Sequence, residues 1–338
     1  AWFGDHGHFS PGELQTIRRS HRVRNLEASW AEQRAYADQT LKAFPDLKPA
    51  VDESRGIRCA PAINGMDPFD VNSPLHAGRW LIRFEPATGC LSQLTDLETG
   101  TSYLPEGGRL GGAILKYEQY GSEDYADFLN AYMGPPPRPW WAEEDFSKFG
   151  IPRRRQQAST LRGEGVWIQP RRGRTDIGVR QRFFGPADLL ETAPDMPTFH
   201  WTFHHEPPEI DFQVGWDHKT ATRKAEALWL GFRLSEDAKI NFPKLGSAVD
   251  PTDIVRGGGV NLHAIQGRVD ITAPAPWSLH ALDSALLSTN GGRLLDTSPD
   301  APDRVDSLWF NLFNNIWNTN FPQWIEGPMG YRFRMTFA

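Results

Sequence analysis

Cysteine is nearly absent, with Cys59 and Cys90 the only two in 338 residues. Two thiols cannot build a disulfide framework or a cysteine zinc cluster. One bridge and two reduced thiols both fit, so the redox compartment stays open. Long apolar runs are missing too. The best, at 225–232, contains Glu226 and falls far short of the ~18 residues a spanning helix needs. Positive charge is not in excess, since 36 Lys and Arg face 42 Asp and Glu, a formal net charge of −6. That balance argues against a nucleic-acid polyanion as the main partner, and the basic run Arg153, Arg154 and Arg155 is local. A soluble protein with no nucleic-acid and no membrane partner is expected; a secreted or periplasmic location stays open.

Catalytic signatures are lacking as well. There is no Gly-x-Ser-x-Gly, no phosphate-binding Gly-x-x-x-x-Gly-Lys-Ser/Thr, no His-Glu-x-x-His and no Gly-x-Gly-x-x-Gly. A glycosidase needs two carboxyl groups flanking the scissile bond, and no spacing singles out such a pair. The catalytic residues are therefore unassigned. The chain opens at Ala1-Trp2-Phe3 without a signal-peptide pattern, which fits a processed terminus or, the expectation preferred here, a piece of a longer protein.

What the sequence has is tryptophan: 13 Trp against 7 Tyr, beside 31 Gly and 27 Pro. Indole rings fill β-sheet cores, and they also stack on the C–H faces of sugars with an N–H to spare. Ser10, Pro11 and Glu13 form a capping-box start for a helix over 10–44, and Leu14, Ile17, Leu26, Trp30, Leu41 and Phe44 give it an apolar stripe, with a break near Asn25. Pro45 and Pro49 end it. Residues 49–78 read as a connector. From Arg79 the period changes to two, beginning with a hairpin at 80–96. Strand-like runs follow at 113–117, 166–170, 177–184, 198–203, 209–216, 227–234, 269–272, 279–282 and 332–337. With few helical patterns between them, the sheets should be antiparallel. The predicted organisation is a helical segment at 1–48, the connector at 49–78 and one large β domain at 79–338. The excursion at 120–155, with Trp140 and Trp141, is long enough to be functional.

Two stretches combine polar groups with indoles. One is Trp216, Asp217 and Lys219; the other is Asn314, Asn315, Trp317, Asn318, Asn320 and Trp324. Amides that donate and accept, beside a stacking face, suit a neutral polyol. The competing reading makes them sheet-edge ion pairs, loop backbone partners and core. Asp5-His6-Gly7-His8 and His204-His205-Glu206 hold metal-ligand types, but neither names further ligands elsewhere, so no metal is assigned.

Several segments in order carry a resemblance. They are Asp217-His218-Lys219, the run from Glu226 to Phe232, Lys244-Leu245-Gly246, the run from Asp250 to Val255, Asn261-Leu262-His263-Ala264, the run from Leu282 to Leu286, and 314–324. Together they resemble the C-terminal half of bacterial and fungal proteins related to glycoside hydrolase family 38, the α-mannosidase-like enzymes. The resemblance covers 79–338 and is best after Trp216. Gly4-Asp5 and the Arg-rich helix look like the helical segment of such proteins, from which His6-Gly7-His8 departs.

The resemblance implies a mainly β fold: a short helical segment feeding a large antiparallel galactose-mutarotase-like β-supersandwich. It implies carbohydrate handling, an oligosaccharide or polysaccharide as ligand, and an N-terminal catalytic domain of the same protein as partner. Zinc and the nucleophile would belong to the α/β barrel of that catalytic domain, which this chain lacks. No cofactor is expected in the chain itself, and the chain alone should be inactive. The hairpin at 84–100 also looks like the entry to polysaccharide lyase β-sandwiches. A lyase region and a non-catalytic carbohydrate-binding or interaction module are the alternatives.

Overall fold

The computed structural model describes residues 9–55, 59–105, 111–141, 146–148, 150–318 and 321–337. The capping box forms as expected at α1 (Pro11–Ile17). The Glu13 N–H donates to the Ser10 hydroxyl at 3.4 Å, and the Ser10 N–H donates to the Glu13 carboxylate at 3.0 Å. The single long helix is, however, two. The chain breaks after Ile17, and α2 (His21–Ala43) restarts where Ser20 accepts from the Val23 N–H. That second cap places the break six residues or so before Asn25. Leu14, Val23, Leu26 and Trp30 are buried against Ala221 and Trp324. Beyond Trp30 the stripe is little used: Leu41 is only half-buried and Phe44 lies in solvent, as does Tyr36.

The segment 49–78 is more than a connector. It takes in most of α3 (Lys48–Arg55) and two short strands, Asp67–Phe69 and Leu75–Ala77. The excursion at 120–155 contains an unpredicted helix, α4 (Ser122–Met133), whose start is fixed by Asp124 accepting from the Gly121 N–H at 2.8 Å. Cys59 and Cys90 are both free thiols.

The rest is antiparallel β, in three sheets of ten, six and four strands among the described residues. In the ten-stranded sheet, Arg174–Phe184, Thr198–His204, Glu209–Trp216, Met329–Phe337, Trp277–Ala281 and Arg268–Ala273 lie side by side. The centre of the six-stranded sheet is Ser307–Asn314, Glu226–Arg233 and Ile114–Gln119. Period-two alternation points Phe199, Trp201, Phe203, Ile210, Phe212 and Val214 inward. Phe212 meets Phe232 of the smaller sheet at 5.8 Å between ring centroids, and Phe333 meets Phe310 at 5.4 Å. These contacts place the two sheets face to face over one aromatic core. The small sheet closes one end, with Trp80 packed on Phe337 at 4.8 Å.

The fold is thus mainly antiparallel β with a short helical N-terminal region, as expected. Among the described residues no helix is long and apolar enough to cross a membrane.

Candidate functional site

Alternation that sends aromatics into the core sends polar side chains to the other face of the ten-stranded sheet. Asp176, Thr202, Asp211, Arg334, His280 and Arg268 stand opposite one another on six successive strands. The row is cross-linked: the Arg334 Nε–H donates to Asp211 Oδ1 at 2.7 Å, and the Thr202 hydroxyl to Asp176 Oδ1 at 3.1 Å. His204 Nε2 lies 3.1 Å from Asp211 Oδ2. Two strand positions from Thr202, His200 Nε2 is buried without a hydrogen-bond partner among the described residues, 3.9 Å from Asp176 Oδ1, and burial pushes this imidazole below its ordinary pKa. Of the predicted His204-His205-Glu206 cluster, only His204 joins this face. His205 turns to the Thr175 hydroxyl at 3.3 Å, and Glu206 to Arg79 at 3.5 Å. Asp5, His6 and His8 lie outside the described residues.

The two indole–polar stretches are largely interior, which is a correction to their reading as a sugar-facing surface. Trp216 is fully buried, its Nε1–H without a protein acceptor among the described residues. Lys219 donates to Glu226 Oε1 at 2.7 Å with both side chains sealed from solvent. Glu226 also receives the Tyr117 hydroxyl. Asn315 accepts from the Glu226 N–H at 2.8 Å and donates to the Thr222 carbonyl at 3.1 Å and the Gln323 carbonyl at 3.2 Å. Its amide has nothing left for a ligand. Asn314 donates to Asn311 Oδ1 at 2.8 Å, and buried Asn318 gives its carbonyl to Gln323. Trp324 is buried on Trp30. Asp217 is exposed, but its Oδ1 takes the Ala60 N–H at 3.0 Å. Asn320 lies outside the described residues.

Trp317 is the exception. It is half-buried and sits 5.6 Å from Phe128 of α4 and 6.1 Å from Phe146. Phe128 stacks on Tyr132 at 5.5 Å with 10° between planes, and Phe146 touches both Tyr132 and Trp141. The outer rings are open to solvent: Trp140 is 81% exposed, Tyr132 61% and Trp141 41%. Arg138 is held at this edge by donating to the Gly134 carbonyl at 2.9 Å and to the Asn130 side chain. A side-chain anchor fixes the platform to the sandwich. The fully buried Lys148 Nζ donates to the carbonyls of Arg223 at 3.1 Å and Gln323 at 3.2 Å, and burial pushes its pKa well down. Sequence reading noticed Trp140 and Trp141 but not Phe128 and Tyr132. The signal was there, because Tyr125, Phe128, Leu129 and Tyr132 recur at helical spacing.

An open cleft of about 920 Å³ separates α2 from the sheet end, lined by Arg34, Asp283, Ser284, Trp324 and Glu326 among others. Its charges are mostly committed: Arg18 holds Glu326, and Asp283 takes Arg332 at 2.9 Å.

Among solved structures, a galactose mutarotase-like protein from Lactobacillus casei shares 8% identity, over 79% of this chain and 99% of that one, with a TM-score of 0.38. A putative aldose 1-epimerase from Escherichia coli shares 9%, over 81% of this chain and 99% of that one, with a TM-score of 0.38. The 4-alpha-glucanotransferase from Thermococcus litoralis shares 8%, over 82% and 38% of the two chains, with a TM-score of 0.37. At such scores the likeness brings neither ligand nor chemistry to this chain. A search of the curated proteins gives no match. One family model does match, over residues 1–210, and the chain belongs to that family, described as a domain of unknown function (DUF5054).

Proposed function

We propose that this chain binds carbohydrate through the aromatic platform of α4, Trp141, Phe146 and Trp317, as the C-terminal β part of a glycoside hydrolase 38-like protein. The carrying observation is the exposure of that platform: Tyr132 and Trp141 stand open to solvent within a connected cluster of aromatic contacts, with the exposed Trp140 next to Trp141 in the chain. A clustered exposed aromatic patch, unlike a single exposed ring, marks an interaction site, and flat indole and phenol faces match the C–H faces of pyranose rings. Hydrogen-bond donors and acceptors at the rim, such as the Tyr132 hydroxyl, suit sugar hydroxyls. The motif resemblance at 217–324 supplies the class of parent protein. Catalytic groups of the parent are assigned to its barrel and not to this chain.

The test is affinity electrophoresis and calorimetry against mannan, other neutral polysaccharides and acidic glycans, with Trp140→Ala and Trp141→Ala. If each stack is worth ~0.5–1.5 kcal/mol, each substitution weakens binding roughly two- to tenfold. Because both rings are exposed, the thermal midpoint should stay put. No glycan binding by the parent chain, or unchanged affinity in the double variant, would reject the proposal.

A further inference from the structure

The hairpin joining Thr198–His204 to Glu209–Trp216 collects an imidazole and two carboxylates on one side. Glu209 and Asp211 are two apart on one strand, so their side chains share a face. Thr202 pairs with Asp211 and Phe203 with Ile210, which sets His204 beside Glu209 at the end of the ladder. One ligand atom from each of His204, Glu209 and Asp211 lies within 4.8 Å of the other two. His204 Nε2 and Asp211 Oδ2 lie 3.1 Å apart, a hydrogen-bond contact that need open by only a few tenths of an ångström to admit an ion. Bonds of about 2.0–2.2 Å at the tetrahedral angle put adjacent ligands about 3.3–3.6 Å apart. The other Asp211 oxygen, Oδ1, is held by Arg334 at 2.7 Å, the outer hydrogen bond that ligating carboxylates commonly have.

We infer that His204, Glu209 and Asp211 bind a divalent first-row metal ion, with Zn²⁺ the best match to one nitrogen and two carboxylate oxygens. Glu209 gives up its 3.3 Å contact with Arg334 to turn toward the ion, and the His204–Asp211 pair opens slightly. Arg334 keeps its bond to Asp211 throughout. Three protein ligands leave a fourth position that faces solvent on the polar side of the sheet, as in zinc sites that hold an exchangeable water or substrate oxygen. This site is distinct from the aromatic platform and does not depend on the proposed sugar binding.

The experiment uses the full chain carrying His6→Ala and His8→Ala, which removes the other imidazole cluster, after stripping with a chelator. Calorimetric titration with Zn²⁺ should give one ion per chain, and Co²⁺ should give visible d–d bands. His204→Gln, Asp211→Asn and Glu209→Gln should each weaken Zn²⁺ binding roughly tenfold or more and abolish the bands. His280→Gln, on the same sheet face, should change neither. Circular dichroism confirms that each variant is folded, and three independent ligand variants guard against one failing. Absence of stoichiometric Zn²⁺ binding in the parent overturns the inference. So does binding that survives unchanged in the folded ligand variants.

Discussion

Lys219 and Glu226 form an ion pair of 2.7 Å with neither side chain reaching solvent. They lie seven residues apart, on a loop and at the start of the central strand of the smaller sheet. Burial pushes the Glu226 carboxyl up and the Lys219 ammonium down, and each charge partly restores the other. Such a pair gives little net stability, but leaving one partner alone strands a charge in the core. Lys219→Met should therefore cost about 3–5 kcal/mol in urea unfolding at pH 7. Adding Glu226→Gln, whose amide oxygen can still accept from Asn315 while its N–H donates to the Tyr117 hydroxyl oxygen, should recover more than half. A double variant as unstable as the single would show that Lys219 acts through packing instead.

His263 is a pH-sensitive point in the core. It is buried against Phe242 at 5.0 Å, and burial pushes its pKa down to about 4. The unfolded chain binds a proton here near pH 6.5, while the folded one does so only near 4. The neutral ring's contribution is thus fully present above pH 6.5 and is lost as the pH falls toward 4. That loss is about 3 kcal/mol. His263→Leu should flatten the stability profile between pH 7 and pH 4 by that order, whatever it costs at pH 7. A profile as steep as that of the unsubstituted chain would refute the assignment.

Local chemistry was readable where it was self-contained. Ser10, Pro11 and Glu13 need only one another, so the capping box was legible, and alternation alone marked 209–216 to the residue. The α2 restart at Ser20 was missed because its cap is a weaker signal than the continuous apolar stripe. Helix α4 was missed because the surrounding Pro and Gly masked a good acidic first turn at Glu123 and Asp124. The polar–aromatic stretch at 314–324 looked like a ligand surface because composition does not tell which way a side chain points. Asn315 is spent on backbone groups from residues 222, 226 and 323, and that closure exists only after the sheets assemble. His204 and Asp211 were separated by a turn rich in proline, so their pairing needed the hairpin register.

Gly215 shows how tightly the segment after α3 is laid on the large sheet. A Cβ built there would stand 2.3 Å from the Cys59 carbonyl oxygen and 2.6 Å from that of Met329. Both obstacles are backbone, so relief requires moving a strand or the covering chain. Gly215→Ala should destabilise by about 1–3 kcal/mol, the usual range for overpacking. Cys59, already exposed, should react faster with a thiol reagent as its segment lifts. Unchanged stability and labelling would mean the covering segment yields freely.

Trp324 and Trp317 lie seven residues apart and should behave as opposites. Trp324 is buried edge-on against Trp30 at 4.9 Å and 70°, with the Arg18 guanidinium 5.5 Å over its ring. It is the main aromatic bridge between α2 and the sandwich, within a small cluster separate from the main core. Trp324→Ala leaves a cavity there that Leu14, Leu26 and Trp30 cannot refill, so it should cost about 3–5 kcal/mol. Because only the helical region depends on that cluster, protease cleavage within α2 should rise before the sheets unfold. Trp317, half-buried at the platform, contacts Phe128 and Phe146 without reaching the main core. Its replacement by Ala should lower the thermal midpoint less and, on the proposed function, weaken glycan binding more. Thermal melts, limited proteolysis and glycan affinity on both variants decide it. A larger stability loss for Trp317→Ala than for Trp324→Ala would invert the roles argued for these two rings.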